Sequence, residues 1–158
     1  MKFIFLDIDG VFIPDKCKYL EFGRHAMYDN SDHWVSYDPF AVKFLNRLFD
    51  QNDDLYAVTQ STWRQNYPVE WLLKHFVVQG CNFRWHDDTY TNPGLERWLS
   101  IRNWLHEHPE ISRDQIAILD DEKPPYDLQT RTVRVDEVNG LSLKNCQRLV
   151  SLLNLDWK

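Results

Sequence analysis

The 158-residue chain has little cysteine, no run of basic residues and no long apolar segment. Cys17, Cys81 and Cys146 are scattered, odd in number and without metal-ligand spacing. That argues against a disulfide framework and for reduced, structural thiols in a cytoplasmic protein. Eighteen Lys and Arg against 24 Asp and Glu give a net charge of −6, with the cations dispersed along the chain. Binding to nucleic acid through a basic stripe is therefore not expected, although a local basic pocket is compatible with this balance. The opening apolar run is cut off at Asp7, too soon for a signal peptide or a membrane span, and nothing later is long enough to cross a bilayer. No internal repeat, low-complexity stretch or linker interrupts the sequence, so residues 1–158 are expected to form one domain.

What the chain does have is aromatic residues, 15 % of the total with seven Trp, most simply core filler and pocket wall. Short apolar runs also alternate with helical patterns. Residues 2–6 are almost continuously apolar, the mark of a buried parallel strand. Residues 12–37 are irregular, polar and aromatic. Asp38 then offers an N-cap with Pro39 at the first helical position, and Phe40, Phe44, Leu45, Leu48 and Phe49 share one face. Residues 55–58 read as a second strand, about 67–76 as a helix, and 76–78 as a candidate third strand. A helix is expected from Asn92 and Pro93, with Trp98, Ile101, Trp104 and Leu105 on one side. Residues 115–119 and 132–135 read as further strands. A final helix from about Ser142 would bury Leu149, Val150, Leu152 and Leu153. Strands alternating with helices predict a doubly wound α/β domain with a mostly parallel sheet.

In such a sheet, ligands bind at the carboxyl ends of the strands. Three apolar runs here end in polar groups: Asp7 and Asp9, Thr59 and Ser61, Asp120 and Asp121. In extended chain Asp7 and Asp9 lie ~6–7 Å apart on one face. Three or more carboxylates in a small volume call for a cation, and hard oxygen ligands favour Mg²⁺. A phosphoryl group drawn to that cation needs hydroxyl and cationic partners. Thr59 or Ser61 supplies the first and Arg97 the second.

The pattern Asp7-Ile8-Asp9-Gly10-Val11, with a hydroxyl after the second strand and Asp120-Asp121 after a later one, resembles the haloacid dehalogenase superfamily of phosphatases over nearly the whole chain. Residues 61–64, 118–122 and 140–142 resemble its small capless domains, some of which occur in RNA-repair and other phage or bacterial proteins. The resemblance implies that Asp7 is a nucleophile forming an aspartyl-phosphate, and that Asp9 protonates the leaving group and then activates water. It implies Mg²⁺ held by the Asp7 carboxylate, the Asp9 backbone carbonyl and Asp120 or Asp121. Gly10 would permit the sharp turn. Thr59 would donate to the phosphoryl oxygens, or Ser61 if the alignment is anchored on Trp63 and Arg64. The superfamily usually places a Lys near the start of the helix before the acidic strand. This chain has none between Lys74 and Lys123, and Arg97 stands there, on one helical face with Ile101 and Trp104; Lys74 is the alternative cation.

The expected function is a magnesium-dependent phosphomonoester hydrolase, with a catalytically silent metal- or phosphate-binding regulatory module as the alternative. Residues 14–37, including Lys16, Lys18, Arg24, His25 and Trp34, read either as a flap or minimal cap over the site or as a surface loop. Glu122 and Asp127 read as surface acids. Without a large cap the site suits nucleic-acid ends or phosphoproteins, with small phosphoesters as the other possibility.

Overall fold

The strand Lys2–Leu6 (β1) lies at the middle of the molecule because both of its faces are apolar: Ile4 and Leu6 enter one core, Phe3 and Phe5 the other. The computed structural model describes residues 1–19, 24–26 and 33–158. After β1 come a short helix, Asp15–Tyr19 (α1), and an antiparallel pair, Arg24–Ala26 (β2) with His33–Val35 (β3). The remaining elements are Pro39–Gln51 (α2), Leu55–Thr59 (β4), Val69–Val78 (α3), Trp85–Tyr90 (β5), Arg97–Glu107 (α4), Ile116–Asp120 (β6), Thr132–Arg134 (β7) and Leu143–Leu153 (α5).

Five strands form an all-parallel sheet in the order β5-β4-β1-β6-β7. The chain moves outward from β1 through β4 to β5, returns past β1, and continues through β6 to β7. Strand order therefore reverses beside β1, where open α/β sheets bind their ligands. Helices α2, α3 and α5 pack on the face of Ile4 and Leu6, and α4 packs on the face of Phe3 and Phe5 through Trp98, Ile101 and Trp104. This is the expected doubly wound α/β domain, and no large cap is inserted among the described residues. No helix among them is long and apolar enough to cross a membrane. The three cysteines are buried and unbridged.

Helix α2 begins as its sequence dictates, with Pro39 at the first position and the Asp38 carboxylate accepting from Phe40 N–H at 3.0 Å. Its apolar face is Ala41, Phe44, Leu45, Leu48 and Phe49; Phe40, expected on that face, is exposed.

Two expectations are corrected. Residues 76–78 are the last turn of α3, where Phe76 is buried while Val77 and Val78 face solvent. The next strand is instead β5, whose Trp-His-Asp-Asp-Thr-Tyr sequence has a mostly uncovered surface, as suits an edge strand. Helix α4 starts at Arg97, not at Asn92: Glu96 caps it by accepting from Trp98 and Leu99 N–H, while the Asn92 side chain closes a separate turn onto Gly94 N–H.

Within residues 14–37, Lys16 forms an ion pair with Asp38 at 2.7 Å. The side chains of Lys18, Arg24, His25 and Trp34 lie outside the described residues, and the flap expectation that rests on them is left there.

Candidate functional site

β1 ends at Asp7, which is 1 % exposed. Its N–H continues the parallel ladder to Leu119 O at 3.1 Å, and its Oδ1 accepts from Ile8 N–H at 2.8 Å. The chain then turns tightly, with Phe12 and Ile13 N–H both donating to Ile8 O. Gly10 takes φ +76°, and a Cβ there would stand 2.5 Å from the Asp121 carboxyl carbon. Only glycine lets the backbone adopt this conformation and the Asp121 side chain come this close. Gly140, at φ +75°, has the same function on the other side of the turn, where a Cβ would meet Pro14 at 2.8 Å.

β4 runs one residue past its last ladder partner, Gln60 N–H donating to Leu6 O at 3.1 Å. The two candidate hydroxyls then part. Thr59 Oγ1 donates to Thr89 O at 3.0 Å, across the seam where the register between β4 and β5 shifts. A bulged seam leaves carbonyls without ladder donors, and threonine side chains satisfy them here: Thr89 Oγ1 donates to Ala57 O and Thr91 Oγ1 to Thr59 O. Thr59 is thus engaged with the edge strand. Ser61 is the hydroxyl on the Asp7 side: it helps to hold the Asp7 carboxyl down, and its Oγ accepts from Trp63 N–H at 3.4 Å.

β6 delivers the acidic pair. Asp120 is fully buried: its Oδ1 accepts from Glu122 N–H at 2.8 Å, and its Oδ2 accepts from Gln60 Nε2 at 2.5 Å. Asp121 is half-buried against Gly10. Arg97, at the first position of α4 and 7 % exposed, reaches across β1. Its Nη1 lies 3.0 Å from Asp7 Oδ2, 2.5 Å from Asp120 Oδ1 and 3.9 Å from Asp121 Oδ1, with Nη2 3.7 Å from Glu122. Lys74, the alternative cation, is exposed on α3, on the opposite face of the sheet.

Burial pushes the Asp7 carboxyl well above its usual range. The neighbouring Asp120 pushes it further, and Arg97, Ile8 N–H and Ser61 pull it back. Burial likewise raises Asp120, to about 6, against the pull of Arg97 and Gln60. One guanidinium thus leaves the cluster under-neutralised. Carboxylate oxygens of Asp7, Asp120 and Asp121 all lie within 4.8 Å of one another, and the Asp121 group sits in a cradle that a Cβ at residue 10 would fill. A hard divalent cation fits this donor set. The Asp9 carboxylate is not part of that group of oxygens; the expectation for Asp9 concerned its backbone carbonyl. It is partly buried, and Trp63 Nε1 donates to its Oδ2 at 2.8 Å. Asp9 and Trp63 border a hollow of about 400 Å³ also lined by Thr62, Gln65, Asn66 and Tyr67.

Three residues with a part in this geometry give little signal in the sequence. Gln60 holds Asp120, and Trp63 holds Asp9. Arg64, 2 % exposed, braces the whole segment: Nη1 donates to Gln60 O and Ser61 O, and Nη2 to Leu95 O and Ser100 Oγ. The resemblance quoted Trp63 and Arg64 only as alignment marks, and Gln60 reads as a spacer between two hydroxyls.

A model of the family described as the HAD domain in Swiss Army Knife RNA repair proteins matches residues 3–146. Comparison with curated proteins gives no match. The family match covers every strand of the sheet and all the carboxylates above, so the chain belongs to this family of small domains within the haloacid dehalogenase hydrolase superfamily.

Proposed function

We propose that the protein is a magnesium-dependent phosphomonoester hydrolase that works through an aspartyl-phosphate and acts on nucleic-acid ends. The observation that carries this reading is the surroundings of Asp7: a buried carboxylate with a guanidinium at 3.0 Å, two further carboxylates whose oxygens lie within 4.8 Å of its own, and Asp9, two residues away, at the rim of an open hollow.

In the first step a carboxylate oxygen of Asp7 attacks phosphorus, the acyl-phosphate bond forms, and the bond to the leaving oxygen breaks. Asp9 gives that oxygen its proton. In the second step Asp9 takes a proton from water, whose oxygen attacks phosphorus and frees both phosphate and Asp7. Trp63 Nε1 fixes the orientation of the Asp9 carboxylate throughout. Ser61 and Arg97 offer donors to the phosphoryl oxygens. Asp7, Asp120 and Asp121 would hold the metal, which when bound supplies positive charge against the phosphoryl oxygens.

The absence of a large cap among the described residues and the polar rim of the hollow favour the end of a long substrate over an enclosed metabolite. The RNA-repair description of the family agrees with that choice. Turnover of p-nitrophenyl phosphate with Mg²⁺, followed by a panel of RNA 3′- and 5′-phosphates and small phosphoesters, tests both parts. Asp7→Asn is expected to reduce turnover by more than about 10³-fold. Activity confined to a small phosphoester would sink the nucleic-acid assignment. One observation favours a second reading, a binding module without turnover: Arg97 Nη1 is already shared by two carboxylates. Phosphate binding with no hydrolysis of any phosphoester would decide for it.

A further inference from the structure

The net charge of the chain is −6, yet one hollow is walled by cations. It has a volume of about 440 Å³ and lies between the loop after β6, the strand β7 and the helix α5, lined by Lys123, Arg134, Lys144 and Arg148 together with Gln129 and Pro124. All four cations are exposed. Among the described residues, no carboxylate stands within ion-pair distance of any of them. No two are adjacent in sequence, and the crossing of β7 and α5 brings them together. Lys144 and Arg148 are four residues apart on α5, about 6 Å along the axis, and the same helix turns Cys146, Leu149 and Leu153 inward.

This groove is linked to the candidate metal site through Arg134. Arg134 Nε donates to the Asp121 carbonyl at 3.0 Å, which fastens one cation to the backbone of a candidate metal ligand, and Lys123 follows Asp121 by two residues. Arg134 also borders a second hollow whose walls include Asp121, Asp136 and Glu137. The sign of the surface therefore changes at Arg134, from the acidic side nearest the site to the basic groove beyond it.

We infer that the basic groove holds the phosphodiester backbone of a single nucleic-acid strand whose terminal phosphate reaches Asp7. The second half of that statement rests on the phosphatase reading; the affinity of the groove for the strand does not. Arg134 and Arg148 present forked donors suited to phosphate oxygens, and Gln129 adds an amide. The lining offers no aromatic or large aliphatic anchor, only Pro124, so it lacks the apolar centre that a protein partner would fill.

The test uses the full chain with Asp7→Asn, to prevent turnover, and the same protein carrying Lys144→Gln and Arg148→Gln. Binding of a short labelled single-stranded RNA with a terminal phosphate is followed by fluorescence anisotropy across a salt series. The double change is expected to weaken binding about tenfold and to reduce the slope of log K against log salt by about 1.4, two phosphate contacts at about 0.7 each. With Asp7 left unchanged, the same pair of substitutions is expected to lower kcat/KM on the RNA while leaving turnover of p-nitrophenyl phosphate unchanged. Identical RNA affinity and slope in the two proteins would overturn the groove. A poly-glutamate peptide that binds as tightly as the RNA and loses affinity in proportion would overturn it too, assigning the face to an acidic protein. A chain that hydrolyses no phosphoester but binds RNA through Lys144 and Arg148 leaves the groove standing and removes the phosphatase reading alone.

Discussion

Thr59 and Ser61 are two positions apart and carry equivalent hydroxyls, but their partners are different. The Thr59 hydroxyl is spent on Thr89 O, while that of Ser61 lies on the Asp7 side and pulls its carboxyl down. Ser61→Ala is therefore expected to lower kcat by roughly 10²-fold, the usual effect of losing one donor aimed at developing charge. Thr59→Val is expected to leave kcat within a few-fold of the parent and to cost about 1 kcal/mol of stability through the stranded Thr89 carbonyl. Steady-state kinetics and urea unfolding on the two variants separate the roles, and the opposite pattern would return the phosphate-facing hydroxyl to Thr59. The reason the sequence points first to Thr59 is physical. Thr59 stands directly at the end of the apolar run, and nothing in the run reveals that β5 is bulged and needs a side-chain donor there. The convergence of Asp7, Asp120 and Asp121 was legible because each stands at or just past the end of a strand that the hydrophobic pattern marks, with Gly10 in the turn after β1. Arg97 was legible as the cation of the right helix, although that helix starts there and not at Asn92. Gln60 and Trp63 were not, since their contacts depend on how the chain folds back after β4.

Between elements, the segment after β4 has no ladder to hold it, and Arg64 performs that task. Its guanidinium ties the carbonyls of Gln60 and Ser61 to Leu95 O and Ser100 Oγ, so the segment bearing Ser61 is fastened to the start of the helix bearing Arg97. Tyr90 of β5 donates from the third side, to Arg64 O and Tyr67 O. Arg64→Gln shortens the reach and breaks several of these bonds at a buried position, with an expected loss of roughly 2–4 kcal/mol. Amide exchange should report the loss locally: protection falls at Arg64 and through the first turn of α4, while β1 and β6 keep theirs. A uniform loss across the sheet would show that Arg64 supports the core as a whole and not this joint. At the same scale, four of the five sheet strands were legible because their apolar runs end in polar punctuation. β5 was not, because His86, Asp87 and Asp88 break its pattern and an edge strand needs no buried outer face. The apolar residues 76–78 attracted the strand assignment instead, although capping and the spacing of Leu72 and Phe76 continue α3 through them.

Across the whole molecule, two buried sets of titrating groups pull the pH dependence of stability in opposite directions. The folded-state pKa values of Asp7 and Asp120 are raised, the latter to about 6. A group raised on folding favours the fold below its unfolded pKa, and that favour is lost as pH rises through the folded value. His75 does the reverse. It is 0 % exposed, lies against Trp71 at 5.1 Å with nearly parallel rings, and burial pulls it from its ordinary 6.5 to about 4. The unfolded chain therefore binds the His75 proton more tightly, and stability present above about pH 6.5 is lost as pH falls towards 4. Over the window in which both sets titrate, the wild-type curve is flatter than either alone would make it. His75→Phe removes one arm and keeps an aromatic ring on Trp71. On cooling the comparison to a single difference, unfolding free energy at pH 7 minus that at pH 5, the wild type is expected to exceed the variant by about 2 kcal/mol. Urea titrations in EDTA at the two pH values measure it with the carboxylate cluster in the same state in both proteins. Equal differences would mean that His75 takes up its proton in the fold as readily as in the unfolded chain, which its burial on the inner side of α3 does not allow without opening the packing of Tyr37, Trp63 and Trp71 around it.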